Sequence, residues 1–102
     1  MIELNSKNFK EEISKGGIIL VDFWADWCAP CKILEPTLVK LEECIRVGKV
    51  DIDLNVDLPT QFSIKGVPTM IIFNNGEIVN RYVGVQTYSV IKGFIDTINQ
   101  PK

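Results

Sequence analysis

Two cysteines three residues apart, Cys28 and Cys31, are the groups in this chain best suited to chemistry. A pair at that spacing can close a disulfide, exchange it with another disulfide, or lend two thiolates to a metal. A structural zinc site takes four cysteine or histidine ligands, and the chain has three cysteines and no histidine, so no metal is expected. Thiol–disulfide exchange is the chemistry that remains. The third cysteine, Cys44, sits near the end of a helical pattern and reads as a small buried hydrophobe.

The pair stands where a strand hands over to a helix. Ile18 to Ala25 is a near-continuous apolar run, as in a strand covered on both faces of a sheet. After Trp27 the period changes: Cys31, Leu34, Leu38, Leu41 and Ile45 recur at three- and four-residue steps and line one side of a helix. Pro30 falls in its first turn, where a missing amide costs nothing, whereas Pro36 lies inside the pattern and should kink it. The unpaired amides and dipole of a helix N-terminus favour thiolate over thiol. Cys28, at the start, is therefore expected to be the exposed attacking thiolate. Cys31, one turn in on the apolar face with Leu34, is the resolving thiol. Asp22 is the single ionisable group in the strand, and a carboxyl there has a raised pKa unless it is paired. Trp24 continues the buried strand, while Trp27, beside Cys28, suits an apolar rim for docking partners.

The remaining elements must hold that junction in place. Ile2 to Leu4 is a weak first strand. Ser6 can cap a helix carrying Phe9 and Ile13, which Gly16 and Gly17 end. Arg46 to Asp53 is a third strand, and Asp57 and Pro59 open a short helix around Gln61 and Phe62, stopping near Gly66. Thr69 to Phe73 and Ile78 to Val83 are β-rich runs joined by Asn74-Asn75-Gly76, an antiparallel hairpin. Thr87 can cap a last helix with Ile91, Phe94, Ile95 and Ile98 inward. The expected fold is α/β: a mixed central sheet with a C-terminal antiparallel hairpin and helices on both faces, its first part built from right-handed crossovers.

Composition excludes several classes of function. A chain of 102 residues is one domain's worth, 1–102, with 46% apolar and 24% charged residues in globular balance. Eleven basic and thirteen acidic residues give a formal charge of −2 without a basic stripe, so neither nucleic acid nor an anionic membrane is an expected partner. No apolar run approaches a membrane span, and Met1 to Asn5 do not read as a secretory leader. The expected compartment is the cytoplasm, where a close cysteine pair more often reacts than braces a fold.

Residues 21 to 32, Val-Asp-Phe-Trp-Ala-Asp-Trp-Cys-Ala-Pro-Cys-Lys, closely resemble the active-site segment of the thioredoxin family. Gly66-Val67-Pro68-Thr69 resembles that family's second signature, and the Asn-Asn-Gly-Glu hairpin and Val83-Gly84 match too. Ala29 departs from the glycine most members carry, and Leu41 to Lys49 is several residues shorter than usual. The resemblance implies a thioredoxin-like three-layer sandwich and a protein-disulfide reductase that is recharged by a thioredoxin reductase and passes electrons to client disulfides. It implies no cofactor beyond the cysteine pair, and a monomer. It further implies that Asp22 exchanges a proton with the inner cysteine, with Lys49 as the nearby lysine. Docking would fall to Trp27, Ala29, Pro30, Val67, Pro68 and Gly84, and the Val67–Pro68 bond is expected to be cis. A glutaredoxin-like enzyme would usually carry Cys-Pro-Tyr-Cys in place of Cys-Ala-Pro-Cys. A binding module with incidental cysteines would have little use for Asp22 and Pro68.

Overall fold

Seven consecutive residues, Ile18–Trp24, form the middle strand of a five-stranded sheet. The structure is a computed structural model and describes residues 1–99. In chain order the elements are β1 (Ile2–Leu4), α1 (Phe9–Ile13), β2 (Ile18–Trp24), α2 (Ala29–Leu41), β3 (Arg46–Asp51), α3 (Asp57–Gln61), β4 (Thr69–Asn74), β5 (Glu77–Val83) and α4 (Tyr88–Ile98). The strands lie in the order β1-β3-β2-β4-β5. β1, β3 and β2 run parallel, while β4 and β5 are antiparallel to their neighbours, so the sheet is mixed, as the sequence leads one to expect.

Alternation along β2 explains the layers. Ile19, Val21 and Phe23 point to one side and join Phe9 and Ile13 of α1, Leu58 of α3 and Phe73 of β4. Leu20 points to the other side with Leu34, Leu38 and Leu41 of α2 and Ile91 and Ile95 of α4. The result is a three-layer sandwich with a core on each face of one sheet. Asp22 shares the face of Leu20, under α2.

Several boundaries differ from the sequence reading. Ser6 does not cap α1: its hydroxyl donates to Asp57 Oδ1, and the turn before the helix is closed by Asn5 Oδ1, which accepts from the amides of Lys7 and Asn8. The asparagine reaches two amides at once, which a serine at position 6 cannot. Ala25 leaves β2, and Ile45 lies beyond α2, half-buried against its core, because the chain turns at residues 42–44 to enter β3. β3 stops at Asp51 rather than Asp53, whose amide is held by the Asp51 side chain in a turn. α3 ends at Gln61, well before Gly66, because Ser63 takes a left-handed φ of 55°. Pro36 sits inside an unbroken α2. Cys44 is exposed rather than buried, since it falls in the turn after α2 and not on its inner face.

Other local readings hold. Thr87 Oγ1 accepts the Val90 amide at the head of α4. Asn75 and Gly76, with φ of 53° and 85°, form the two-residue hairpin turn between Asn74 and Glu77. That turn is tied to the start of β2 by two bonds, from the Asn75 amide to the Gly17 carbonyl and from the Gly17 amide to Asn75 Oδ1.

Gly48 on β3 lies close under the side chain of Leu4 on β1. A Cβ there would collide with the Leu4 side chain and lie 3.6 Å from the Ile2 carbonyl. Leu4 is only 1% exposed and has nowhere to move. Gly48→Ala is expected to destabilise the protein by about 1–3 kcal/mol, read as a lower denaturation midpoint with an unchanged denaturant slope.

Candidate active site

Cys28 occupies the N-cap of α2 in an extended conformation, with φ −93° and ψ 106°. Its own amide donates to the Ala25 carbonyl at 3.1 Å, and its Sγ accepts the Cys31 amide at 3.2 Å. Ala29 and Pro30 fill the first two helical positions, and Pro30 has no amide to offer. The sulfur therefore performs the duty of a capping oxygen and feels the positive end of the helix at its closest point. Cys28 and Cys31 are joined as a disulfide, their Cα atoms 5.3 Å apart.

Exposure does not separate the two sulfurs as the sequence reading expects. Cys28 is 4% exposed and Cys31 3%, both packed with Ala25 and against Trp24, Ile52 and Val67. In the disulfide form both sulfurs lie in one small apolar cluster at the head of α2. Their surroundings still differ. Cys28 is flanked by the exposed Trp27, Ala29 and Pro30, whereas Cys31 is one turn deeper on the side of Leu34 and Leu38.

Beneath that turn lies Asp22, fully buried, with neither carboxylate oxygen hydrogen-bonded to any protein group. Desolvation pushes its pKa up to about 7; the Lys49 ammonium pulls it down and Glu35 pushes it further up. Burial outweighs the lysine. Lys49 is the β3 residue directly beside Asp22 in the sheet, yet its Nζ bonds Glu35 Oε2 at 2.7 Å and lies 4.5 Å from the centre of the Trp24 ring. Glu35 is one helical turn beyond Cys31 on α2. Trp24, Cys31, Lys32, Glu35 and Lys49 line a cavity of about 260 Å³ that opens this corner to solvent.

The rim around Cys28 is assembled from separate elements. Trp27 is 69% exposed, and its indole N–H donates to Asp53 Oδ2 at 2.9 Å in the turn after β3. The Val67–Pro68 peptide is cis, and Val67 packs against the cysteine pair. The Gly84 amide, at a left-handed φ of 87°, donates to the Pro68 carbonyl at 2.8 Å, so the chain leaving β5 braces the loop entering β4. A cavity of about 280 Å³ beside the rim is lined in part by Trp27, Ile52, Ile64 and Val67. Of the residues read from the sequence, Val67 packs on the pair, Lys49 shares a cavity with Cys31, Asp22 is the sheet neighbour of Lys49 and Gly84 is bonded to Pro68. Glu35 and Asp53 were not among them. Glu35 stands at helical spacing from Cys31 and could have been found from it; Asp53 depends on a turn that leaves no periodic trace. Cys44 is remote, at the other end of α2, with its sulfur 3.9 Å from the Tyr88 hydroxyl.

Comparison with known proteins agrees with this arrangement. The family model for thioredoxin matches residues 1–97. The chain is 39% identical over 101 residues to a thioredoxin of Buchnera aphidicola, covering 94% of each protein. It is 32% identical over 101 residues to a thioredoxin of Pseudomonas aeruginosa, again with 94% of each covered. Among solved structures, a mutant thioredoxin from Halobacterium salinarum superposes with a TM-score of 0.92 at 33% identity, covering 99% of this chain and 92% of that one.

The raised pKa of Asp22 carries a stability consequence. Between its ordinary value of 3.8 and about 7, the folded protein holds a proton that the unfolded chain has released. Stability from this group is complete below the lower value and is lost as pH rises through the upper one. The loss is on the order of 4 kcal/mol at most, three pKa units at about 1.4 kcal/mol each. Asp22→Asn removes the buried charge, so chemical denaturation of the oxidised variant at pH 8 should show a gain of about 2–4 kcal/mol over the parent. The gain should fade towards pH 4. A difference independent of pH would place the charge in water.

Proposed function

Because the chain belongs to the thioredoxin family, it is a dithiol/disulfide oxidoreductase, and we propose that it acts as a reductant of client protein disulfides, restored by a thioredoxin reductase. The observation that carries the reading is the Cys28–Cys31 pair at the head of α2, set above a buried carboxyl with no hydrogen-bond partner.

Each side chain has a place in the cycle. In the reduced protein the Cys28 thiolate, held by the helix end and the Cys31 amide, attacks one sulfur of a client disulfide. The other client sulfur leaves as a thiolate and takes a proton from water. A mixed disulfide now joins Cys28 to the client. Cys31 gives its thiol proton to the Asp22 carboxylate, and its thiolate attacks Cys28 Sγ, expelling the second client sulfur and closing the Cys28–Cys31 disulfide. Two electrons have passed to the client. The expelled sulfur takes a proton from water. The reductase returns two electrons and one proton to the pair to restore the Cys28 thiolate and Cys31 thiol, and Asp22 releases its own proton to solvent on the side where Lys49 lies. Docking of an extended client segment falls to Trp27, Ala29, Pro30, Val67, Pro68 and Gly84, a mainly apolar surface around the attacking sulfur in which Pro68 is itself buried.

The direction of electron flow follows from modest thiolate stabilisation. A dithiol becomes strongly oxidising when its reduced form gains extra stabilisation, as a histidine beside the pair would provide. This chain has no histidine, and Ala29 and Pro30 bring neither charge nor, in the proline, an amide. The helix end and Lys32 are left to do it. The reading places the protein in the cytoplasm as a single domain over residues 1–102, acting as a monomer without cofactor or metal. No helix of the described residues is long and apolar enough to cross a membrane.

Two measurements test this. Cys31→Ser should accumulate stable mixed disulfides with client proteins through Cys28, whereas Cys28→Ser should trap none; the reverse pattern exchanges the two roles. Equilibration with a reference thiol/disulfide couple should give a potential at least as reducing as the cytosolic glutathione pool, whose extracted value is about −220 to −260 mV. A more oxidising value would make the protein an oxidase or isomerase.

A further inference from the structure

Lys49 is flanked in the sheet by Asp22 of β2 and the exposed Glu3 of β1, and it bonds neither. In the sheet it is the direct neighbour of Asp22, and a lysine beside a buried carboxylate would ordinarily turn to it. Here the ammonium reaches across to α2 instead, taking Glu35 Oε2 at 2.7 Å over the face of Trp24, and both oxygens of Asp22 stay unpartnered. Among the described residues, Glu35 is the only acidic one lining the 260 Å³ cavity that borders Cys31.

We propose that Glu35 is a positioning residue: by holding the Lys49 ammonium at the cavity mouth, off the Asp22 carboxyl, it sets the pH range over which Asp22 can accept the Cys31 proton. The proposal rests on the reading of Asp22 as that acceptor.

The geometry decides between two states of one lysine. Turned inward, Lys49 would stabilise a charged Asp22 by direct contact and lower its pKa by one or more units. Turned outward, it leaves desolvation unopposed at short range. Glu35 favours the outward state through the ion pair, and Trp24 adds the contact of the ammonium with its indole face. The negative charge of Glu35 acts in the same direction on Asp22, in keeping with the upward push noted above. Few other groups compete. α2 also presents Cys31 and the exposed Lys32, β3 adds Asp51 two residues along, and β1 adds the exposed Glu3 directly beside Lys49. β4 brings only Met70 opposite Asp22, with Tyr82 of β5 beyond it, whose burial raises its pKa and keeps it neutral. The charged groups of α4 lie at the other end of α2, where Tyr88 meets Lys40 and Cys44 and Lys92 meets Asp96.

The functional result is a proton acceptor tuned to neutral pH. With an inward lysine Asp22 would stay ionised well below neutrality, a weaker base always ready. With Glu35 in place it is a stronger base, available only as the pH approaches 7. Glu35 is 40% exposed on its side chain and can be replaced without disturbing the core.

The test follows Asp22 by carboxyl carbon NMR, and the resolving step by release of a chromophoric thiol preloaded on Cys28. Glu35→Gln should move both midpoints down by about one pH unit, and Glu35→Asp should restore part of the shift. Lys49→Met should move them up. In the Lys49→Met background, Glu35→Gln should lose at least half of its effect, since there is no ammonium left to release. The proposal is overturned if Glu35→Gln leaves both midpoints in place, or moves them as far without Lys49 as with it. Asp22→Asn separates the two levels. If it leaves the pH profile of thiol release unchanged, the proton-acceptor reading of Asp22 fails; if it abolishes the profile while Glu35→Gln does not move it, the Glu35 proposal fails alone.

Discussion

A carboxyl group buried without a partner is the constraint around which this molecule is arranged. Asp22 stands in the central strand, on the face that carries Leu20, and α2 closes over it. Leu at that position would have made a better core. The strand tolerates an aspartate because its neighbours are strong enough to hold the sheet without it: β2 is paired along its length on both sides, and two apolar clusters sandwich it. The stability given up at one buried charge is thus recovered over the whole of the layered core, in keeping with the marginal balance of small domains.

The same strand delivers the second requirement. A parallel β2 must hand over to a helix that crosses back over the sheet, so the N-terminus of α2 falls just beyond the carboxyl end of the central strand. Placing Cys28 at the cap and Cys31 one turn inside brings a thiolate site and a resolving thiol together by backbone geometry, with no other charged group needed. The cap bond from the Cys31 amide to Cys28 Sγ links the two directly.

Contributions from distant parts of the chain complete the site. The rim draws on Trp27 after β2, the cis Val67–Pro68 peptide before β4 and Gly84 after β5, which meet because β2, β4 and β5 are adjacent. Trp27 is steadied by Asp53, and Lys49 by Glu35 and Trp24. These are interactions between side chains of different elements, formed only once the layers are stacked.

What could be read from the sequence by itself was whatever periodicity and position control. The apolar run of β2, the three-and-four spacing of α2, the Asn75-Gly76 turn and the Thr87 cap are local signals, and each holds in the structure. So did the place of Cys28 and Cys31 at the junction, because that is a property of order along the chain. The tertiary structure decided what depends on which atoms meet. Cys44 lies in the turn outside α2, Ser6 bonds Asp57 instead of capping α1, and the disulfide hides both sulfurs alike. Lys49 could be matched to a partner lysine by resemblance, but its choice of Glu35 over Asp22 could not be read off, because burial and the position of one helix turn set that choice, and neither is written in the local sequence.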